Sequence, residues 1–154
     1  MASILGADLA VAPNFVAIDA SQLDLTIKSR GIRGAAVGAP NSVSDLAVLE
    51  GRQNLAQALL VRLLTPRGTM AGLGHSAFGS RLHELIGRRK TEELRNLCRA
   101  FVLDAIAQEP RVQPKATSLQ FSPDEETYND FVFTVAVQPI ADGDPVLLSL
   151  GVGL

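Results

Sequence analysis

Five carboxylates in the middle of the chain are the residues best suited to acid–base chemistry: Glu84, Glu92, Glu93, Asp104 and Glu109. Two acids facing one cleft would suffice for glycoside hydrolysis, provided that one of them has a raised pKa. Glu92 and Glu93 begin a predicted helix, whose positive end favours acids. Glu84 has Arg88 four residues on, the spacing of a helical ion pair. No acid lies in a clearly apolar stretch, so we expect no catalytic residue.

A glycine-rich segment carries two further motifs, and both are incomplete. Residues 72–77 match the G-x-G-x-x-G/A pattern of dinucleotide-binding loops, which need a strand before them and a helix directly after. Here a helix ends before the motif, and the next is predicted to start only near Ser80. His75 and His83 lack the i, i+4 spacing of a helical zinc pair. We therefore expect neither a cofactor nor a metal site.

The segment Glu109-Pro110-Arg111 combines charges in an unusual place. Glu109 stands at the end of a predicted helix, where the helix dipole disfavours an acid, and Pro110 ends that helix. Two interpretations are open. Glu109 could be solvated, with a surface ion pair worth under ~1 kcal/mol. Alternatively, Glu109 and Arg111 could offer charge-assisted hydrogen bonds outward from a rigid corner.

Composition narrows the class of protein. The 154 residues are 47% hydrophobic and 19% charged, with a net charge of -2, which predicts one folded domain, with or without an arm. No basic stretch predicts a nucleic-acid partner. Cys98 is the single cysteine, so no internal disulfide is expected. The N-terminus lacks the basic region of a signal peptide, and no apolar run approaches the ~20 residues of a membrane span. We therefore expect a soluble protein.

The spacing of apolar residues predicts the helices that must position these groups. The first helix runs from Gly51 to Thr65-Pro66, with an apolar stripe at i, i+4 and i+8 formed by Leu55, Leu59 and Leu63. A short helix is predicted after Ser80, closed by Gly87. The clearest helix begins at Thr91, a good N-cap, and ends at Pro110. Its apolar face holds Leu94, Leu97, Cys98, Phe101, Val102, Ala105 and Ile106.

After this helix the period of the pattern changes to two. Alternation over residues 117–121, 131–137 and 146–150 predicts three strands joined by short polar links. The predicted fold class is α+β, with N-terminal helices packed on a C-terminal antiparallel β-meander. We divide the chain into an extended N-terminal arm, residues 1–45, and a domain, residues 46–154.

The two ends of the chain each leave a choice. In the arm, Leu23, Leu25 and Ile27 alternate as in an edge strand, and the rest resembles linker; we expect the arm to order on a neighbour, the alternative being a partly disordered tail. The stretch Val146–Leu150 is apolar on both faces, with no charged residue after Asp144. It is either an open edge that another chain covers or the centre of its own sheet.

Three short motifs occur in a fixed order: Thr65-Pro66-Arg67-Gly68, Phe78-Gly79-Ser80-Arg81-Leu82 and Glu109-Pro110-Arg111. Their order and spacing, within about 45–154, resemble the baseplate wedge or sheath-initiator family of contractile phage tails and phage-tail-like injection systems, historically labelled lysozyme-like. The chain departs from the family at Thr69, where many members carry an acid. Any role of that acid is absent here.

The resemblance implies a structural role without catalysis or a cofactor. Helices of this family join other wedge proteins in a core bundle at the Glu-Pro-Arg motif. In this chain the implied wedge interface consists of Glu109, Pro110, Arg111, Leu55, Leu59 and Leu63. Glu109 and Arg111 would then pair with a neighbouring chain.

The resemblance also implies a contact with the sheath. The last strand would template the first sheath ring through Val146, Leu147, Leu148, Ser149 and Leu150. The implied partners are wedge proteins, a sheath subunit and, through the arm, an inner tube, spike or hub protein, in a sixfold baseplate assembled in the bacterial cytoplasm. Two other functions stay open: a peptidoglycan-cleaving enzyme, as the old family label suggests, and a regulatory binding module with the same fold.

Overall fold

The computed structural model of the chain describes residues 5–11, 27–31, 42–140 and 143–154. Helices precede an antiparallel meander, so the predicted α+β class is confirmed. The regular elements of the described residues are β1 (Ala7–Leu9), β2 (Ile27–Gly31), β3 (Ser42–Leu46), β4 (Val48–Glu50), α1 (Gly51–Leu64), α2 (Glu92–Ala107), β5 (Ser118–Phe121), β6 (Asp130–Val137) and β7 (Val146–Gly153).

Helix α1 lies in the middle of the core. Its leucine stripe is almost fully buried inside the chain, with exposed fractions of 0%, 0% and 2% for Leu55, Leu59 and Leu63. The expectation that these three leucines contact another wedge protein is therefore wrong, because their own domain already covers them. The helix ends at Thr65, whose hydroxyl donates to the carbonyl of Val61 at 2.7 Å.

Helix α2 begins as predicted and ends earlier. The Thr91 hydroxyl accepts a hydrogen bond from the backbone of Leu94 at 3.2 Å, which caps the first turn. The helix stops at Ala107 with Gln108 as its C-cap. Pro110 explains the early end, since a proline also disfavours helical geometry for the residue before it, here Glu109. The predicted apolar face is buried, apart from the partly exposed Leu97.

The meander has the order β5-β6-β7, with β6 in the centre. The alternative in which residues 146–150 form the centre of the sheet is therefore wrong. One face of the sheet packs on the helices and buries Phe131, Phe133, Val135, Val137, Val146, Leu148 and Leu150. Strand β7 is longer than predicted because its last residues pair with the start of β6, as far as Gly153 opposite Asp130.

The described N-terminal residues belong partly to the domain. Strand β1 pairs with β4, and Leu5, at 5% exposure, joins the hydrophobic core. The boundary at residue 45 therefore does not separate an outlying arm from the core. Strand β2 begins at Ile27 and pairs with β3. Leu23 and Leu25 lie outside the described residues, as does most of the predicted linker.

Two of the three sequence motifs meet at a crossing of the chain. Pro66 and Ser80 form an isolated parallel bridge, and the Ser80 hydroxyl donates to the carbonyl of Leu63 at 2.6 Å. Gly79 lies against this crossing with φ +105°, and a Cβ there would stand 2.5 Å from the carbonyl oxygen of Thr65. Only glycine fits this position. The exposed Thr69 hydroxyl donates to the carbonyl of Pro66 at 2.8 Å.

Candidate functional site

Glu109 is buried, with 5% of its surface exposed. Its carboxylate accepts a hydrogen bond from Arg111 Nε at 2.6 Å and pairs with Arg62 Nη2, from the last turn of α1, at 3.4 Å. The interpretation of Glu109 as a solvated surface acid is therefore wrong. Two cations compensate for its unfavourable place just beyond the C-terminus of α2.

The two arginines also fix the charge of Glu109. Burial raises the pKa of the Glu109 carboxyl, but the hydrogen bond from Arg111 and the charges of Arg111 and Arg62 outweigh it, so the net pKa is lowered. Glu109 is ionised at neutral pH and cannot serve as a general acid. Arg62 additionally lies over the ring of Phe78, with its guanidinium carbon 4.6 Å from the ring centroid.

Arg111 connects this cluster to the N-terminal segment. Its Nη1 donates to the carbonyl of Leu5 at 2.9 Å, and Asn54 Nδ2 donates to the same oxygen at 2.8 Å. The charges of Glu109 and Arg111 are thus paired within the chain, whereas Pro110 between them is exposed. A contact of this segment with a neighbouring chain stays a prediction. Pro110 and the exposed part of Arg111 would make that contact.

A second buried carboxylate, Glu126, was missed by the sequence reasoning. Only 2% of its side chain is exposed. Arg95 donates to both carboxylate oxygens, at 2.7 and 2.8 Å, and Lys90 Nζ lies 2.9 Å from one of them. The Arg95 guanidinium also lies over two rings, 4.8 Å from the centroid of Phe121 and 4.9 Å from that of Phe131.

The Glu126 cluster ties the start of α2 to the meander. Burial raises the pKa of Glu126. The hydrogen bonds and charges of Arg95 and Lys90 lower it by more than burial raises it, so the net pKa lies below the usual value. In the sequence this acid stands in a polar link between strands and looks solvated. The available signal was Arg95, which follows Leu94 of the apolar face, because a cation that becomes buried is normally paired with an acid.

The predicted sheath-contact residues lie together on β7, at an edge of the sheet. Val146, Leu148 and Leu150 face the core, whereas Leu147 is 64% exposed on the opposite face, beside a partly buried Ser149. No charged residue occurs along the eight residues of the strand. In the described part of the chain, no strand pairs with the free edge of β7. Its outward backbone groups are therefore available to another strand.

The glycine-rich loop lacks, in the described residues, the strand before it and the helix directly after it that a dinucleotide-binding motif needs. A 3₁₀ turn at Ala71–Leu73 occupies the start of the G-x-G-x-x-A pattern, so no helix opens on the loop. His75 lines an open groove of about 470 Å³ together with Arg62 and Gln108, whereas His83 lies in a separate 3₁₀ turn. Over residues 5–11, 27–31, 42–140 and 143–154, no group of three His, Cys, Asp or Glu side chains is placed to hold a metal ion.

Comparison with known proteins identifies no relative of this chain. Searches of protein-family models, of curated proteins and of solved structures gave no match for the chain. Neither α-helix within the described residues has the length and apolar character needed to cross a membrane. A proposal of function therefore depends on the sequence motifs and on the geometry of the Glu109 cluster and the β7 edge.

Proposed function

We propose that this chain is a structural baseplate component of a contractile, phage-tail-like particle. In this role it joins wedge proteins in a core bundle and templates the first sheath ring. The observation that carries the proposal is the outer edge of β7, an eight-residue strand without a charged residue, with which no other strand of the described residues pairs. An edge of this kind accepts a strand from another chain by β-augmentation.

The edge suits a strand of alternating character. A strand added beside β7 would extend the inner row of Val146, Leu148 and Leu150 on one face, so its inward residues should be apolar. On the other face it would cover Leu147, which is now 64% exposed. Backbone hydrogen bonds would supply affinity, and these two rows would supply selectivity.

The wedge contact of the proposal centres on Pro110 and Arg111, which the buried Glu109 holds in place. Pro110 is exposed at this corner, and Arg111 keeps about a quarter of its side chain accessible, at 24%. The corner is held rigid by the Glu109 ion pairs, which favours it as a docking point. Assembly in the bacterial cytoplasm, sixfold symmetry and contact of residues 1–45 with an inner tube, spike or hub protein belong to the same proposal.

The lowered pKa values of three carboxylates favour a structural role over a peptidoglycan-cleaving one. A glycosidase needs one carboxylic acid that stays protonated near neutral pH. Hydrogen bonding to Arg81 lowers the pKa of Glu84, and the cation partners of Glu109 and Glu126 lower theirs. A turbidity assay on peptidoglycan with the purified protein tests this point, and robust lysis would overturn the structural assignment.

The sharpest test of the sheath contact is Leu147→Lys. This side chain is exposed, so the domain should keep its fold, whereas a charge on the edge strand should block strand addition. We expect assembled baseplates that lack sheath. Gln120→Lys is the matched control, because Gln120 is exposed on β5 at the opposite edge. Sheathed particles from Leu147→Lys, with circular dichroism showing both variants folded, would sink the proposal.

A regulatory binding module would use the same edge for a different partner. Affinity purification of the chain from its native host distinguishes the two functions. Recovery of sheath and wedge proteins with the wild-type chain, and loss of sheath alone with Leu147→Lys, supports the baseplate role. Recovery of a regulatory protein instead of these structural proteins contradicts it.

A further inference from the structure

We propose that β7 of the free protein pairs with β7 of a second copy, antiparallel and around a two-fold axis at Ser149. If the proposed function holds, self-pairing has a consequence: it competes with the sheath strand for the β7 edge and keeps that edge covered before assembly. Only this consequence rests on the proposed function. The self-pairing itself stands on the chemistry of β7. A two-fold contact requires a surface that is complementary to itself.

The inner face of β7 meets this requirement. Directly opposite residues of an antiparallel pair point to the same face of a sheet. With Ser149 opposite Ser149 of the second copy, Leu148 lies opposite Leu150, and Val146 lies opposite Val152. The row that each copy buries against its own helices would therefore continue across the axis, and both sets of helices would lie on one side of a six-stranded sheet.

The outer face fits in the same register. Leu147, which is 64% exposed, would lie opposite Gly151 of the second copy. A Cβ built on Gly151 meets no atom within 4 Å, so there is open space above this residue for a leucine side chain. The two-fold axis produces this contact twice, and each one covers apolar surface that the single chain leaves in water.

Length and flanking prolines distinguish β7 from β5, the strand at the other edge of the sheet. Two copies of a strand without charged residues bring no like charges together at a two-fold axis. Strand β5 has only four residues. A 3₁₀ turn that begins at Pro114 precedes it, and a second 3₁₀ turn that begins at Pro123 follows it. Short length and nearby prolines are features that protect an edge from pairing. Of the two edges, β7 is thus the one open to a second copy.

Cysteine cross-linking in the full chain tests the register. In the proposed dimer, the two Cβ atoms at position 149 lie about 4.5–5.5 Å apart, so Ser149→Cys should cross-link rapidly with a short bismaleimide or a mild oxidant. Tyr128→Cys is the control for random collision, because Tyr128 is more exposed, at 84%, and lies in the link between β5 and β6, outside the proposed strand pair. The native Cys98 does not interfere, since it is buried and burial raises the pKa of its thiol to about 12.

We expect Ser149→Cys to cross-link at least tenfold faster than Tyr128→Cys, and Leu147→Lys in the same chain to remove this excess. Sedimentation of the wild-type protein at about 100 μM should show a dimer that Leu147→Lys converts to monomer. Equal cross-linking rates, or a wild-type monomer at that concentration, overturn self-pairing and leave the sheath proposal intact. A dimer that Leu147→Lys disrupts, beside normally sheathed particles from the same variant, supports self-pairing and overturns the sheath proposal.

Discussion

Among the described residues, the carboxylates of Glu109 and Glu126 are similarly buried but have different surroundings. Glu109 pairs with Arg111, two residues away, and with Arg62 on α1 at the longer distance of 3.4 Å. Glu126 receives two short bonds from Arg95, 31 residues away, and a third contact from Lys90. Arg95 is further enclosed by two phenylalanine rings, whereas Arg62 faces one.

This difference indicates a difference in role. The Glu126 cluster joins α2 to the meander through two short hydrogen bonds from Arg95 and a contact from Lys90, so its loss should act mainly on folding. The Glu109 cluster lies beside the exposed Pro110 and holds the N-terminal segment through Arg111 and the carbonyl of Leu5. Its loss should act less on folding and more on the shape of the surface that we propose for wedge contact.

The largest effect is expected from Glu126→Ala. This change leaves Arg95 and Lys90 without their acid in a partly buried place, which should lower the free energy of unfolding by about 3 kcal/mol. Urea denaturation followed by circular dichroism measures this loss. Glu125→Ala, at an exposed neighbouring position, is the control and should unfold like the wild type. A loss below about 1 kcal/mol for Glu126→Ala would place its ion pairs in the weak surface class.

A smaller loss, about 2 kcal/mol, is expected from Glu109→Ala in the same urea denaturation, because removal of the acid also relieves its unfavourable position beyond the C-terminus of α2.

Arg111→Ala should leave the isolated protein folded and yet block baseplate assembly. Amide exchange at residues 5–11 should quicken in this variant, since the bond to the Leu5 carbonyl is lost. Normal particles from Arg111→Ala would refute the wedge contact.

Acid should weaken both clusters in the same direction. The pKa values of Glu109 and Glu126 are lowered in the folded state, so their contribution to stability is fully present above the unfolded value of about 4.5 and is lost as pH falls through the folded pKa. The free energy of unfolding should therefore decline below that value. Glu126→Gln should show a shallower decline than the wild type between neutral and acidic pH, and parallel curves would contradict the assignment.

The smallest effect is expected from Glu84→Ala. Glu84 accepts hydrogen bonds from Arg81 at 2.7 and 2.9 Å, but both side chains are well exposed to water, where an ion pair is screened. The urea midpoint should stay within error of the wild type. A clear shift of that midpoint would show that short distances alone, without burial, decide the strength of ion pairs in this chain.

The sequence predicted the elements better than the contacts between them. Periodicity was sufficient for α1, α2 and the meander, because each element carries its own apolar pattern, as Phe131, Phe133, Val135 and Val137 show. It could not place Glu126, whose partner lies 31 residues away. It also could not show that Leu5 belongs to the core, since an apolar residue in a short segment has no period. The exposure of Leu147 could not be predicted either, because it depends on which strand lies at the edge of the sheet.

The crossing of the chain at Gly79 closes a loop, residues 67–79, and separates it structurally from the two helices on either side. Because Pro66 and Ser80 hold the two ends of residues 67–79 together, and residues 71–77 are exposed, the length of this loop is uncoupled from the spacing of the helices. Loops closed in this way tolerate added residues at little entropic cost. A short epitope or a fluorophore site at Gly72 would therefore report on the protein while the core and the β7 edge stay unchanged.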